Sequence, residues 1–218
     1  MTDKCSWSYC LKKSVITIKL KYVCENPQVD LCLEHYNRHL TADSCWEKII
    51  KVEGYRETIM VFDDSSLRIF REALLSYNMG LNATVELLCR AAMESAMHAY
   101  ISSINPQYEK LPNSDGMFMH TVSHDYACDN IRLTDLIKAL NKNNVLTNMD
   151  DKINSVKDNG DFIAHYSERS SKSWNNVIKD NAINDAIKLW VSDDEARNSL
   201  IYTSEIISEL INNYYTKL

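Results

Sequence analysis

Residues 14–23 alternate, with Val15, Thr17, Lys19 and Lys21 interleaved with Ile16, Ile18, Leu20 and Tyr22. A period of two is what a strand with one covered face requires, so this segment predicts a strand or a hairpin arm. Short apolar runs at 49–55 and 58–62 read as two further strand-like pieces. From Asp63 the spacing lengthens. Asp63-Asp64-Ser65-Ser66 is a helix-start signal, and Leu67, Phe70, Leu74 and Leu75 follow at spacings of three and four. A second helix is predicted over residues 82–104, with Val85, Leu88, Ala92, Ala96 and Ala99 facing inward until Asn105-Pro106 stops it. A loop over 105–118, helices over 131–140 and 149–166, a polar loop over 167–176, and helices over 181–190 and 193–215 complete the reading. Helix after helix with short connections implies a mainly α protein, a helical bundle over residues 61–218, preceded by a small β-containing module over residues 1–60.

Composition supports this division. Only 4 Gly and 3 Pro in 218 residues argue against a turn-rich β fold. No apolar run approaches the length of a membrane span, and the start of the chain lacks the profile of a signal peptide. No membrane partner is expected. Charge is unevenly placed: residues 1–60 carry 9 Lys/Arg against 8 Asp/Glu, whereas 61–218 carry 15 against 22. So acidic a body is a poor general binder of nucleic acid, because phosphate affinity comes chiefly from Lys and Arg. Any contact with RNA must be local. Seven cysteines, an odd number, favour thiols and metal in a reducing compartment over disulfides, and so a cytoplasmic protein.

Five of those cysteines fall in the first 45 residues, and four chemically apt groups are spaced as two close pairs: Cys5-x4-Cys10 and Cys32-x2-His35. A structural zinc ion takes four Cys or His ligands in just this way, from two turns. The predicted site is one Zn2+ held by Cys5, Cys10, Cys32 and His35. Cys24, His39 and Cys45 also lie within reach as alternative or additional ligands, His39 on the face of His35 if residues 33–40 are helical. The arrangement resembles the small zinc-ribbon or treble-clef modules at the front of many bacterial proteins, which act as folded caps and interaction surfaces. Four protein ligands leave no open position for catalysis. A second set, His120-x3-His124-x3-Cys128, has helical metal-like spacing but no clear fourth ligand.

Within the bundle, Arg90, Glu94 and His98 recur every four residues on one predicted helix, and Lys157, Asp161 and His165 do so on another. Such lines also arise as ordinary exposed ion pairs. Here two occur together, and Val156, Gly160 and Ala164 run beside the second as a small-residue stripe. The segments Leu88–Glu94, Leu136–Leu140 and Val156–His165 resemble an uncharacterised helical domain of bacteria and phages, often attached to restriction-enzyme subunits. That domain is similar to the HEPN superfamily, whose active members are metal-independent ribonucleases, often dimeric, using Arg-x4-6-His. The resemblance spans roughly residues 67–218. It implies a site of Arg90, Glu94, Lys157, Asp161 and His165, with His165 as base and Arg90 or Lys157 as the cation that stabilises the phosphate. RNA, a restriction or defence complex protein, and a second copy of the chain are the implied partners. The same resemblance also allows a non-catalytic, dimerising module that docks onto or inhibits such a complex. Position 160, where four-residue spacing from His165 would put the superfamily arginine, is glycine, and Asp161 stands where asparagine is usual.

Overall fold

The computed structural model describes residues 4–7, 10–104, 132–164 and 191–218. Two short strands, β1 (Ile16–Lys19) and β2 (Gln28–Leu31), pair antiparallel with Ile16 opposite Leu31 and Lys19 opposite Gln28. Of the alternating segment 14–23, Ile16–Lys19 forms one hairpin arm. The connecting turn is carried by Glu25 (φ 69°) and Asn26 (φ 46°), the latter a residue type that tolerates left-handed backbone.

Seven α-helices follow among the described residues: α1 (Leu33–Ile50), α2 (Tyr55–Phe62), α3 (Arg68–Asn78), α4 (Asn82–Ile104), α5 (Leu133–Lys142), α6 (Asp150–Ala164) and α7 (Asp193–Tyr215). The strand-like pieces expected at 49–55 and 58–62 are helical instead. Ile49 closes α1 fully buried, and Thr58 and Phe62 bury the same face of α2 at i and i+4. Packing on one helical face overrides the local preference of Val and Ile for strand. Nor does a new helix begin at Asp63. A π-helical turn over Asp63–Leu67 carries α2 into α3, and the buried Ser66 hydroxyl donates to the Phe62 carbonyl at 2.7 Å. Gly54 (φ 80°) makes the bend between α1 and α2, where a Cβ would come within 2.1 Å of the Tyr215 ring.

The helix ends follow from their sequences. Gly80 (φ 77°) closes α3, letting the Leu81 amide donate to the Ser76 carbonyl at 2.9 Å. Ser192 and Glu195 form a reciprocal capping box on α7. The polar stretch after α5 ends with Asn144 at φ 55°, and the Val145 amide reaches back to the Leu140 carbonyl at 3.1 Å.

Helix α4 is the centre of the bundle and touches α3, α5, α6 and α7. Its Val85, Cys89, Ala92, Met93, Ala96, Met97 and Tyr100 are all fully buried. Alanines at 92 and 96 let the neighbouring helices approach closely, while methionines fill the irregular gaps. Burying each such large side chain stabilises the fold by roughly 1.5–3 kcal/mol. The core does not stop at residue 60. Helix α1 lays Ala42, Cys45, Trp46 and Ile49 into the same apolar cluster and packs on α7 and α3. Cys5, Leu31 and Cys32 form a second, small buried cluster beneath the hairpin.

Candidate metal centre and helical site

The Cys10 amide donates to the Trp7 carbonyl at 2.8 Å and the Cys5 amide to the Lys12 carbonyl at 3.0 Å, which holds Cys5 and Cys10 close together. The hairpin then returns the chain so that β2 runs into α1, with Cys32 at the N-cap in extended conformation and His35 in the first helical turn. The ligand atoms of Cys5, Cys10, Cys32 and His35 consequently all lie within 4.8 Å of one another, the one such group of three or more metal-ligating residues among those described. Cys10 and Cys32 Sγ are 3.8 Å apart, and His35 Nδ1 lies 3.1 Å from Cys32 Sγ and 3.5 Å from Cys5 Sγ. A tetrahedral ZnS3N centre built from bonds of about 2.3 and 2.1 Å has edges of about 3.6–3.8 Å. The 3.5 and 3.8 Å separations are close to that size, the 3.1 Å one is shorter, and no pair exceeds 4.8 Å, so the group is compact enough to close on a tetrahedral metal ion with His35 presenting Nδ1.

Electrostatics favour the ligating forms of Cys32 and His35. Burial alone would raise the Cys32 thiol, but the His35 and Glu34 amides at the helix start, together with Cys10 and Cys5, outweigh it and lower the pKa. Burial and the neighbouring thiols raise Cys10. Burial lowers His35, keeping its imidazole neutral, the form that binds a metal. The Trp7 ring lies 6.3 Å from the His35 ring.

The alternative ligands lie elsewhere. Cys24 is exposed in the hairpin turn. Cys45 is sealed in the main core, where burial pushes its thiol up to about 11. His39 is buried and paired with Tyr22, whose hydroxyl sits 3.3 Å from His39 Nδ1 and accepts from the Asn78 amide. His39 thus fastens the hairpin turn and α1 to the end of α3. One residue earlier, Arg38 donates to the Tyr77 carbonyl at 2.9 Å and to Asn82 Oδ1 at 3.2 Å, and pairs with Asp193 at 2.6 Å. Sequence spacing gave no sign of Arg38, because its partners lie on three other helices.

In the bundle, four of the five predicted site residues meet. Arg90 and Glu94 on α4 face Lys157 and Asp161 on α6. Arg90 Nε donates to Asp161 Oδ1 at 2.5 Å and Nη1 to Glu94 Oε2 at 2.8 Å. Lys157 Nζ lies 3.0 Å from Asp158 and 3.3 Å from Asp161. Burial would raise Asp161, but Arg90 and then Lys157 hold its carboxyl below the usual range. Each member of this network keeps about a quarter of its side chain exposed, apart from the solvent-facing Asp158. Gly160 is explained by the same geometry: a Cβ there would lie 2.5 Å from Arg90 Cβ and 2.7 Å from Arg90 Cδ. Gly160 lies against Arg90 of α4 in the same chain and Val156 is buried, so this part of the small-residue stripe is used in packing within the chain. His165, and the set His120, His124 and Cys128, lie outside the described residues.

Glu86, which the sequence reading passed over, lies one turn before Arg90 on the same polar line. It is 1% exposed and held by Ser199 Oγ at 2.5 Å and Asn159 Nδ2 at 3.5 Å. Burial pushes its carboxyl up to about 7. The i, i+4 recurrence of 86, 90 and 94 was the available signal.

Among the described residues, no helix is long and apolar enough to cross a membrane. No protein family, characterised protein or solved structure matches the chain.

Proposed function

We propose that this protein is a zinc-stapled helical module of the HEPN-like type that works by docking onto a partner, in a bacterial or phage defence setting, rather than by cutting RNA. The observation that carries this reading is the neutralisation of both candidate cations. Arg90 is engaged by Glu94 and Asp161, and Lys157 by Asp158 and Asp161. A phosphate entering this face would have to displace carboxylates from both cations, against an acidic body. A ribonuclease needs the reverse, a cation free to meet the charge that develops on phosphorus. The second reading, a metal-independent ribonuclease with His165 as base, is favoured by the convergence of Arg90, Glu94, Lys157 and Asp161 on one partly open face.

Zinc is the metal this site suits, because three thiolates and an imidazole at tetrahedral spacing match its ligand preference. Its role is structural. Four protein ligands close the coordination shell, and ions so held in small zinc-binding peptides contribute an apparent 10–16 kcal/mol, roughly, to folding.

Incubating the purified protein with a mixed RNA pool, with and without chelator, decides between the two readings. The docking reading expects no cleavage under either condition. Chelator-resistant cleavage that disappears in His165→Ala and Arg90→Ala, both melting near the parent temperature, would overturn it in favour of the ribonuclease.

A further inference from the structure

The three sulfurs of the metal site are not equivalent. Cys5 and Cys32 are 6% and 2% exposed, whereas Cys10 is partly exposed and lines a solvent-open pocket of about 420 Å3 together with Leu11, Lys12, Glu34 and Met79. A hydroperoxide group, little larger than water, passes into such a space without any movement of the chain. Cys10 Sγ also lies 3.8 Å from Cys32 Sγ, so a resolving sulfur stands beside the accessible one. Cys32 in turn caps α1, its carbonyl accepting from the Tyr36 amide at 2.9 Å, and Arg38 follows within two turns to grip Tyr77, Asn82 and Asp193.

We propose that Cys10 is a hydroperoxide-reactive modification site, and that its oxidation to a Cys10–Cys32 disulfide expels the metal and loosens the seat of α1 on the helical body. The chemistry balances. Metal ligation would hold the Cys10 sulfur as a thiolate; that sulfur attacks one peroxide oxygen, the O–O bond breaks, and hydroxide (or alkoxide, from an organic hydroperoxide) leaves with the electron pair, giving a sulfenic acid at Cys10. The Cys32 thiolate then attacks that sulfur and expels a second hydroxide, forming the disulfide. Two sulfurs lose one electron each and the peroxide gains both. The S–S separation must close from 3.8 Å to about 2.05 Å, which drags the Cys10 turn onto the start of α1. Only Cys5 and His35 then remain as ligands, and two ligands do not retain the ion. With the metal gone, the first turn of α1 loses the anchors at Cys32 and His35 that place Arg38.

The inference rests on the zinc reading above, and the test separates the two. Full-length zinc-loaded protein carrying Cys24→Ser, which removes the exposed thiol in the hairpin turn, is titrated with hydrogen peroxide. Released zinc is followed with a chromogenic chelator, disulfides are mapped by mass spectrometry, and backbone hydrogen exchange is recorded. Expected are zinc release matching Cys10–Cys32 formation mole for mole and reversal of both by a thiol reductant. Exchange at residues 33–39 and 77–82 should also quicken by about tenfold. Cys10→His, which keeps four ligands, should release zinc at least about tenfold more slowly, since the accessible nucleophilic sulfur is gone. If that variant fails to load, the disulfide map of the parent decides. Zinc retained under peroxide, a disulfide joining other cysteines, equal release from Cys10→His, or unchanged exchange would overturn the proposal and leave the zinc reading standing. Reduced protein isolated without zinc would overturn both.

Discussion

Glu86 sits in an environment that opposes its charge. A carboxyl 1% exposed inside three helices has hydrogen-bond donors in Ser199 and Asn159 but, among the described residues, no cationic partner, so burial favours its neutral form. Its pKa in the folded protein, about 7, lies above the ordinary 4.5. The folded state therefore binds the proton more tightly than the unfolded chain. The stabilisation from that proton is complete below pH 4.5 and is lost as pH rises through about 7. A gap of this size corresponds to about 3 kcal/mol by linkage. Glu86→Gln keeps the shape and removes the charge. It should leave stability near pH 5 little changed and raise it at pH 8 by about 1–3 kcal/mol, read from urea unfolding at the two values. A variant less stable than the parent at pH 8 would show that the ionised carboxylate is satisfied by its partners.

At the scale of elements, the close approach of α4 and α6 depends on Gly160, over which the stem of Arg90 lies. In an isolated helix Gly→Ala gains up to about 1 kcal/mol. Here the added methyl would meet Arg90 Cβ, which cannot swing away as the end of a long side chain can. Gly160→Ala should therefore lower stability by about 1–3 kcal/mol, by overpacking, despite the better propensity. A rise in melting temperature would mean that α6 slides aside at no cost. The same residues show what sequence could and could not convey. Glycine in the small-residue stripe beside a polar line is a signal of close approach, and the approach is to the Arg90 side chain. Whether the neighbour belonged to the same chain was not legible, because spacing along one helix says nothing about which surface covers it. The runs at 49–55 and 58–62 were misread for a related reason. Ile49, Val52, Ile59 and Val61 favour strands locally. A five-residue apolar run carries too little period to reveal a helix whose Thr58 and Phe62 pack inward.

For the whole molecule, the legible part was what short spacing specifies: two ligand pairs around a hairpin, and a succession of capped helices. Cys5, Cys10, Cys32 and His35 come together because turn, hairpin and helix start each follow from local sequence. What was not legible was the union of that module with the bundle. Trp46 and Ile49 of α1 share the main core, Arg38 bridges to α3, α4 and α7, and Tyr22 meets Asn78. These contacts join residues 39–155 positions apart, a separation no periodicity encodes. They make the metal site the front end of the bundle's own packing. The central claim is that one zinc ion closes this front end with three sulfurs and one nitrogen. X-ray absorption at the zinc edge, with metal content measured on the same sample, tests it most directly. The account expects one zinc per chain with three Zn–S distances near 2.3 Å, one Zn–N near 2.0–2.1 Å and no bound water, as in closed tetrahedral sites. Less than about half an equivalent of zinc in reduced protein, or a shell containing an oxygen ligand, would contradict it.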